Sequence, residues 1–391
     1  MKPHLRGNRD LIKAMNSNLL LNIVRRTGML SRTQLTEISG LSVGAVSQLV
    51  NDLLSEGWLL EIGEGEYTGG RRQMMLRLNP QVGYAVGLKL MENSVVCAIT
   101  DFESRVLRYQ DHPLDGDVSP QHVSDQLVAI IRRTISDARL DPERCLGVGV
   151  GVAGVIHPQQ GIVHFSPFFG WQDVPLAALM AERIHYPVYV ENDVNTLTLH
   201  EMLFGAGRHH TNFVVITIGR GIGMGIVING QLYSGARGGA GELGHIMLSS
   251  KATNQSLESL AADPAVIDAV MAGRNTRGRR LTMQDVVALA ENKDKSAIEA
   301  LQKSGELMGI GIATVVNILC PNLIIISGEG VAAGELRLAP MLESLHRYTF
   351  NGLLNDVQIK VQALEEQAWA RGAAMLAVSK VFESPLVAVG A

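Results

Sequence analysis

Between residues 213 and 245 two apolar runs flank a cluster of glycines, and few folds accommodate that arrangement. Phe213 to Ile218 reads as a strand entering Gly219, Gly221, Gly223 and Gly225. A second apolar run reaches Ile228 and stops at Asn229-Gly230, a two-residue hairpin signal. Two strands therefore meet at a corner where backbone amides can approach a ligand closely. Beyond the hairpin, Gly238-Gly239-Ala240-Gly241-Glu242-Leu243-Gly244-His245 delivers an acid and an imidazole three residues apart. An ordinary structural hairpin has the same spacing, so a ligand-binding and a packing reading both stand at this point.

The chain has 391 residues, 46% of them hydrophobic, enough for two or three domains with ample cores. No apolar run reaches the length of a membrane span, and the N-terminus lacks a signal-peptide core, which predicts a folded cytoplasmic protein. Cys97, Cys145 and Cys320 are scattered, form no metal or disulfide pattern, and read as packing residues. The net charge of -4 argues against nucleic-acid binding over the whole surface. Its distribution is uneven, because residues 1–80 hold ten basic and seven acidic side chains, a net +3, while the remainder carries -7.

Those first residues follow helix-turn-helix grammar. Leu20, Ile23 and Val24 share a helical face after Asn16, and Gly28 closes that helix. Ser31-Arg32-Thr33-Gln34 is a capping box for a second helix, and Gly40 makes the turn. Ser42 caps a third helix that buries Val46, Leu49, Val50 and Leu53. Ser42, Val43, Gly44, Ser47, Gln48 and Asn51 are left on the outer face, where short polar groups can meet base edges and phosphates. Trp58 to Ile62 and Met74 to Leu78 read as the strands of a wing whose Arg71 and Arg72 can reach phosphate or a minor groove. Glu61, Glu64 and Glu66 on the wing oppose that attraction. The expected DNA-binding domain spans 1–80. A single head binds weakly, so double-stranded operator DNA demands a homodimer, or a dimer of dimers.

From residue 81 to 391 strands and helices alternate in two sets. Tyr84 to Leu90 and Ser94 to Asp101 form a first hairpin, with a helix over Pro120 to Ala138 and a strand at Cys145 to Val152. Asn212 to Ile228 repeats the hairpin, with a helix from about Ser296 to Leu319 and a strand at Leu323 to Ser327. Two lobes, each a sheet with helices, are implied, so the class is α/β.

The run Ile218-Gly219-Arg220-Gly221-Ile222-Gly223-Met224-Gly225-Ile226, followed by Ala240-Gly241-Glu242-Leu243-Gly244-His245, resembles the ROK family of repressors, open reading frames and sugar kinases. The resemblance covers nearly the whole chain. It implies a winged helix-turn-helix followed by a two-lobed actin-like, ribonuclease-H-like sugar-kinase ATPase fold, with the ligand in the cleft between the lobes. Glu191-Asn192-Asp193-Val194-Asn195 matches the family's Glu-Asn-Asp-x-Asn, whose aspartate is the kinase base and whose Asn-Asp pair binds sugar hydroxyls. Gly154, Asn192, Asp193, Glu242, His245 and Glu258 are the effector-binding residues the resemblance implies.

The nucleotide half departs from the family. Its kinases carry Asp-x-Gly-Gly-Thr on the first hairpin, where this chain reads Lys89-Leu90-Met91-Glu92-Asn93. The amides and the aspartate that would hold phosphates and magnesium are gone. Gly309 to Gly311 read as packing. The expectation is a repressor of sugar-utilisation genes controlled by a monosaccharide or a derivative, with no catalytic residues, no cofactor and no metal. The cysteines that join the family's histidine in a zinc site are missing after His245. Phe168 stands where relatives place a sugar-binding asparagine, so the effector's identity stays open. The alternatives are a sugar kinase with an appended head and a repressor controlled by a protein partner.

Overall fold

The computed structural model describes residues 8–64, 73–248, 255–274, 279–365 and 367–384. The chain divides into two units, Met1–His209 with Trp369–Ala391, and His210–Ala368.

At the N-terminus the helix Asn8–Thr27 starts earlier than the run Leu20, Ile23 and Val24 suggests, and Leu11, Ile12 and Met15 lie in its first half. It ends at Gly28, whose φ of 90° only glycine adopts readily and whose amide donates to the Val24 carbonyl at 2.8 Å. The capping box closes as its sequence requires: Ser31 Oγ accepts from the Gln34 amide at 3.2 Å, and Gln34 Oε1 accepts from the Ser31 amide at 2.8 Å. After Gly40, Ser42 Oγ accepts from the Ala45 amide and begins the helix Val43–Ser55, whose Val46, Leu49, Val50 and Leu53 are buried. The wing strands are Leu59–Glu64 and Met74–Leu78. A two-residue strand, Leu30–Ser31, joins them through Leu76 and Met75 and is too short for any periodicity to reveal.

In the first unit five strands lie in the order Val188–Asn192, Cys145–Val152, Tyr84–Leu90, Ser94–Asp101, Val106–Pro113. The first three run parallel and the rest antiparallel. Alternation along Tyr84–Leu90 sorts its side chains. Val86, Leu88 and Leu90 join a core with Leu127 and Ile131 of the helix Pro120–Asp137, so Ala85, Gly87 and Lys89 face the other way. The helix Ala368–Phe382 covers that second face at very short range. A Cβ on Gly87 would lie 1.9 Å from the Ala370 carbonyl oxygen, and one on Gly149 1.8 Å from that of Ala373. Only glycine permits backbone against backbone here.

The second unit repeats the strand order: Gln231–Leu232, Ile222–Ile228, Phe213–Ile218, Leu323–Ser327, Gln358–Val361. Again a meander of three is extended by two parallel strands. Asn229 and Gly230 carry φ values of 54° and 73°, the pair of left-handed residues that a tight hairpin needs. The helix Lys295–Leu319 packs Met308, Ile312 and Val316 on this sheet. A Cβ on Gly309 would lie 2.3 Å from the Met341 carbonyl oxygen, and one on Gly311 2.6 Å from a Leu257 methyl, so both glycines serve packing. Two units of this shared strand order constitute the actin-like, ribonuclease-H-like fold.

No gap separates the head from the first sheet. Leu20, Val24 and Leu76 share a continuous core with Phe102, Leu203 and Phe382. Trp58 meets Phe102 edge-on at 5.6 Å, and Phe102 stacks on Phe382 at 5.3 Å. The position where the head was expected to end, residue 80, is bridged by these rings. Truncating the fully buried Phe102 to alanine is expected to cost roughly 3–5 kcal/mol. Urea melts should record that loss, and amide exchange across residues 20–27 should quicken more than in the helix Lys295–Leu319.

Candidate functional site

On the helix Val43–Ser55 the expected DNA-reading face is open: Ser42, Val43, Gly44, Gln48 and Asn51 are exposed and Ser47 is half-buried. A Cβ on Gly44 would meet nothing within 4 Å, so no packing contact requires a glycine there. Val43, 73% exposed, offers a methyl surface of the kind that meets a thymine methyl. Glu61 has a partner, since Arg32 of the preceding helix donates to it at 3.0 Å. Arg71, Arg72 and Glu66 lie outside the described residues.

In the first unit the expected effector residues gather at the start of the helix Asp193–Leu203. Asn192 Oδ1 accepts from the amides of Val194 and Asn195 at 2.9 and 3.2 Å, and its Nδ2 donates to the Gly154 carbonyl at 3.0 Å. Asn192 is thus a helix cap that also ties down Gly154. Gly154 has a φ of 132°, and a Cβ there would lie 2.0 Å from the Phe165 carbonyl oxygen. Asp193 keeps one oxygen on the Val194 amide at 2.9 Å, while its other oxygen receives Lys89 Nζ. The two side chains are only 13% and 10% exposed. Lys89 also lies 4.8 Å from the centre of the Trp369 ring, a cation–π contact.

Neither Lys89 nor Trp369 was among the site residues expected. Lys89 stood out only as a departure from the phosphate loop. Its pairing with a residue 104 positions away has no signature in sequence. Alternation along Tyr84–Leu90 does place it on the face of Gly87, and that clue was available.

The second unit holds Glu242, His245 and Glu258 around the glycine-rich strands. A Cβ on Gly241 would lie 1.9 Å from the Met224 carbonyl oxygen, and one on Gly244 2.5 Å from that of Ile222. The loop therefore rides directly on the strand Ile222–Ile228. Glu258 accepts from the Ile222 amide at 2.8 Å and acts as a brace for this corner. His245 Nε2 and Glu242 lie 3.6 Å apart with side chains 68% and 46% exposed. Among the described residues no group of three or more His, Cys, Asp or Glu is gathered for a metal ion. Residues 249–254, where the zinc segment of relatives would fall, lie outside them. Nor is any described helix long and apolar enough to cross a membrane.

A helix-turn-helix head followed by a strand pair, joined to a body of two five-stranded sheets, is the architecture of DNA-binding proteins built on a sugar-kinase frame. Residues 85–380 match the family described as ROK, and the chain belongs to that family. It is 30% identical to the xylose repressor of Bacillus subtilis over 378 residues, covering 95% of this chain and 97% of the relative. To the DNA-binding transcriptional dual regulator NagC of Escherichia coli it is 27% identical, over 86% of each chain. The solved structure of a ROK family transcriptional regulator, a homolog of the E. coli MLC protein, superposes with a TM-score of 0.84 at 24% identity, over 96% of this chain and 98% of that one. A ROK family glucokinase from Streptomyces griseus, solved with glucose and AMPPNP, gives 0.63 at 25% identity, covering 99% of its own length but 75% of this chain. The kinase thus leaves a quarter of this chain unmatched, whereas the regulator spans nearly all of it. The chain is a regulator of the family and not one of its enzymes.

Lys89→Met strands a largely buried carboxylate, and breaking such a pair typically costs about 3–5 kcal/mol. Adding Asp193→Asn removes the uncompensated charge. Denaturation of the two single variants and the double variant should therefore show the double loss to be clearly smaller than the sum of the single losses.

Proposed function

We propose that this chain is a cytoplasmic transcriptional repressor of sugar-utilisation genes that binds operator DNA as a homodimer and is released by a monosaccharide or a close derivative. The observation that carries the reading is the Lys89–Asp193 pair in a body that also bears a helix-turn-helix with an open outer face. A kinase needs that aspartate to take up a hydroxyl proton. An effector site needs it only to accept a hydrogen bond. Asp193 with Lys89, and Glu242 with His245, supply acceptors and donors suited to sugar hydroxyls, while Gly154, Asn192 and Glu258 hold the backbone around them.

The head is placed to feel such a ligand. Arg25 donates to the carbonyls of Leu203 and Met202, at the far end of the helix that begins with Asp193. Asn18 and Asn22 donate to the carbonyls of Val381 and Phe382, at the far end of the helix that carries Trp369. These contacts offer a shift of either helix start on ligand binding a route to the head helix.

Two experiments test the reading. Selection of operator sequences with the purified protein, followed by Gln48→Ala and Ser47→Ala, should each cost ~1–3 kcal/mol on the preferred site and relax its base preference. Unchanged affinity and preference in both variants would remove the helix Val43–Ser55 from DNA recognition. Titrating the protein–DNA complex with a panel of sugars should find a releasing compound. Glu242→Ala should then leave DNA affinity within twofold while blunting release at least tenfold, and sugar-dependent ATP turnover by the parent would overturn the whole assignment.

A further inference from the structure

We propose that a second ligand site, for a small phosphomonoester, lies in the seam where the head helix meets the first sheet unit. A cavity of about 330 Å³ opens there, lined by Arg25, Arg77, Arg208 and Glu103 together with apolar groups that include Val24 and Phe204. Its size falls in the range of roughly 300–1,000 Å³ typical of small-molecule pockets.

Charge decides what it takes. Three guanidiniums face a single carboxylate, and only Arg77 is paired with it, at 3.4 Å. Among the described residues neither Arg25 nor Arg208 has a carboxylate partner. Arg208 contacts the His209 ring, and Arg25 makes its bonds to the carbonyls of Met202 and Leu203 and to Asn22. Arg25 is 6% exposed, and its Nε is buried with no hydrogen-bond partner. Two helices, Asn8–Thr27 and Asp193–Leu203, also end at this seam. Counting each C-terminus as about half a negative charge still leaves the pocket near +1. Burial, with Arg26 and Arg208 close by, pulls Arg25 down to about 10, so a nearby anion would relieve an existing strain.

A phosphomonoester carries close to two negative charges at neutral pH and three oxygens that accept from guanidinium forks. A sugar without phosphate offers neither, and the apolar Val24 and Phe204 of the lining can cover a short carbon skeleton. Because Arg25 is also the contact that fixes the head helix to Leu203, occupancy would order the seam and so be linked to the head. None of its lining residues is a proposed sugar residue, and either assignment can fail without the other.

The test is calorimetric titration of the full chain at fixed ionic strength with glycerol 3-phosphate and with glycerol. The parent should give one saturable event with the phosphate ester and none with glycerol. Arg208→Gln should weaken that event at least tenfold, Arg208→Lys should recover part of it, and Glu242→Ala should leave it unchanged. Amide exchange across residues 20–28 should slow when the ester is bound, a readout that a merely structural Arg208 would not move. No saturable binding in the parent, equal affinity in Arg208→Gln, or a loss in Glu242→Ala would each overturn the proposal. Should Arg208→Gln fail to fold, Arg77→Gln replaces it with the same expected weakening.

Discussion

The last carbonyls of a helix have no partners within the helix, and here one element finishes two of them. From the helix Asn8–Thr27, Arg25 reaches the Leu203 carbonyl at 2.8 Å, and Asn18 and Asn22 reach those of Val381 and Phe382 at 2.9 Å each. The guanidinium sits 5.1 Å from the centre of the Phe382 ring. A cation at a helix C-terminus is stabilised by the backbone dipoles, so Arg25 is accommodated in a buried position by carbonyls and a ring. Moving the head would leave a buried charge and several carbonyls unsatisfied together. That makes its seating a choice between discrete arrangements, not a continuum.

The opposite ends of the same two helices converge on the ion pair. Asp193 opens one helix, and Trp369, in the first turn of the other, lies over Lys89. At 1.5 Å per residue, helices of 11 and 15 residues span about 16 and 22 Å. Gly87 and Gly149 remove the clearance between the longer helix and the sheet, so it cannot yield sideways. Spatial continuity of this kind is a necessary condition for coupling and not a measurement of it. What it fixes is the place where a differential contact would have to act.

Local grammar made the head legible before its structure was considered. The Ser31–Gln34 box, the Ser42 cap and the Val46, Leu49, Val50, Leu53 face all involve residues within a few positions of one another. The glycine-rich hairpin and the outline of both lobes were equally readable. Three things were not. The strand Leu30–Ser31 exists only because Leu76 and Met75 lie beside it. The helix Ala368–Phe382 has apolar residues all round, so no face betrayed which sheet it covers. Glu258 accepts from the Ile222 amide, a contact between residues 36 apart that no local pattern announces.

The change from Asp to Lys on the first hairpin bears on how a kinase frame becomes a sensor. General-base chemistry asks a carboxylate to aim a free lone pair at the substrate hydroxyl and then to carry its proton. Recognition asks less: the carboxylate has only to remain where a hydroxyl can donate to it. Lys89 holds Asp193 from one side while the Val194 amide holds it from the other, which orients the group as preorganised binding requires. The same ammonium stands on the first hairpin, where the family resemblance would place a kinase's phosphate loop, so in the proposed reading one lysine serves binding and not phosphoryl transfer.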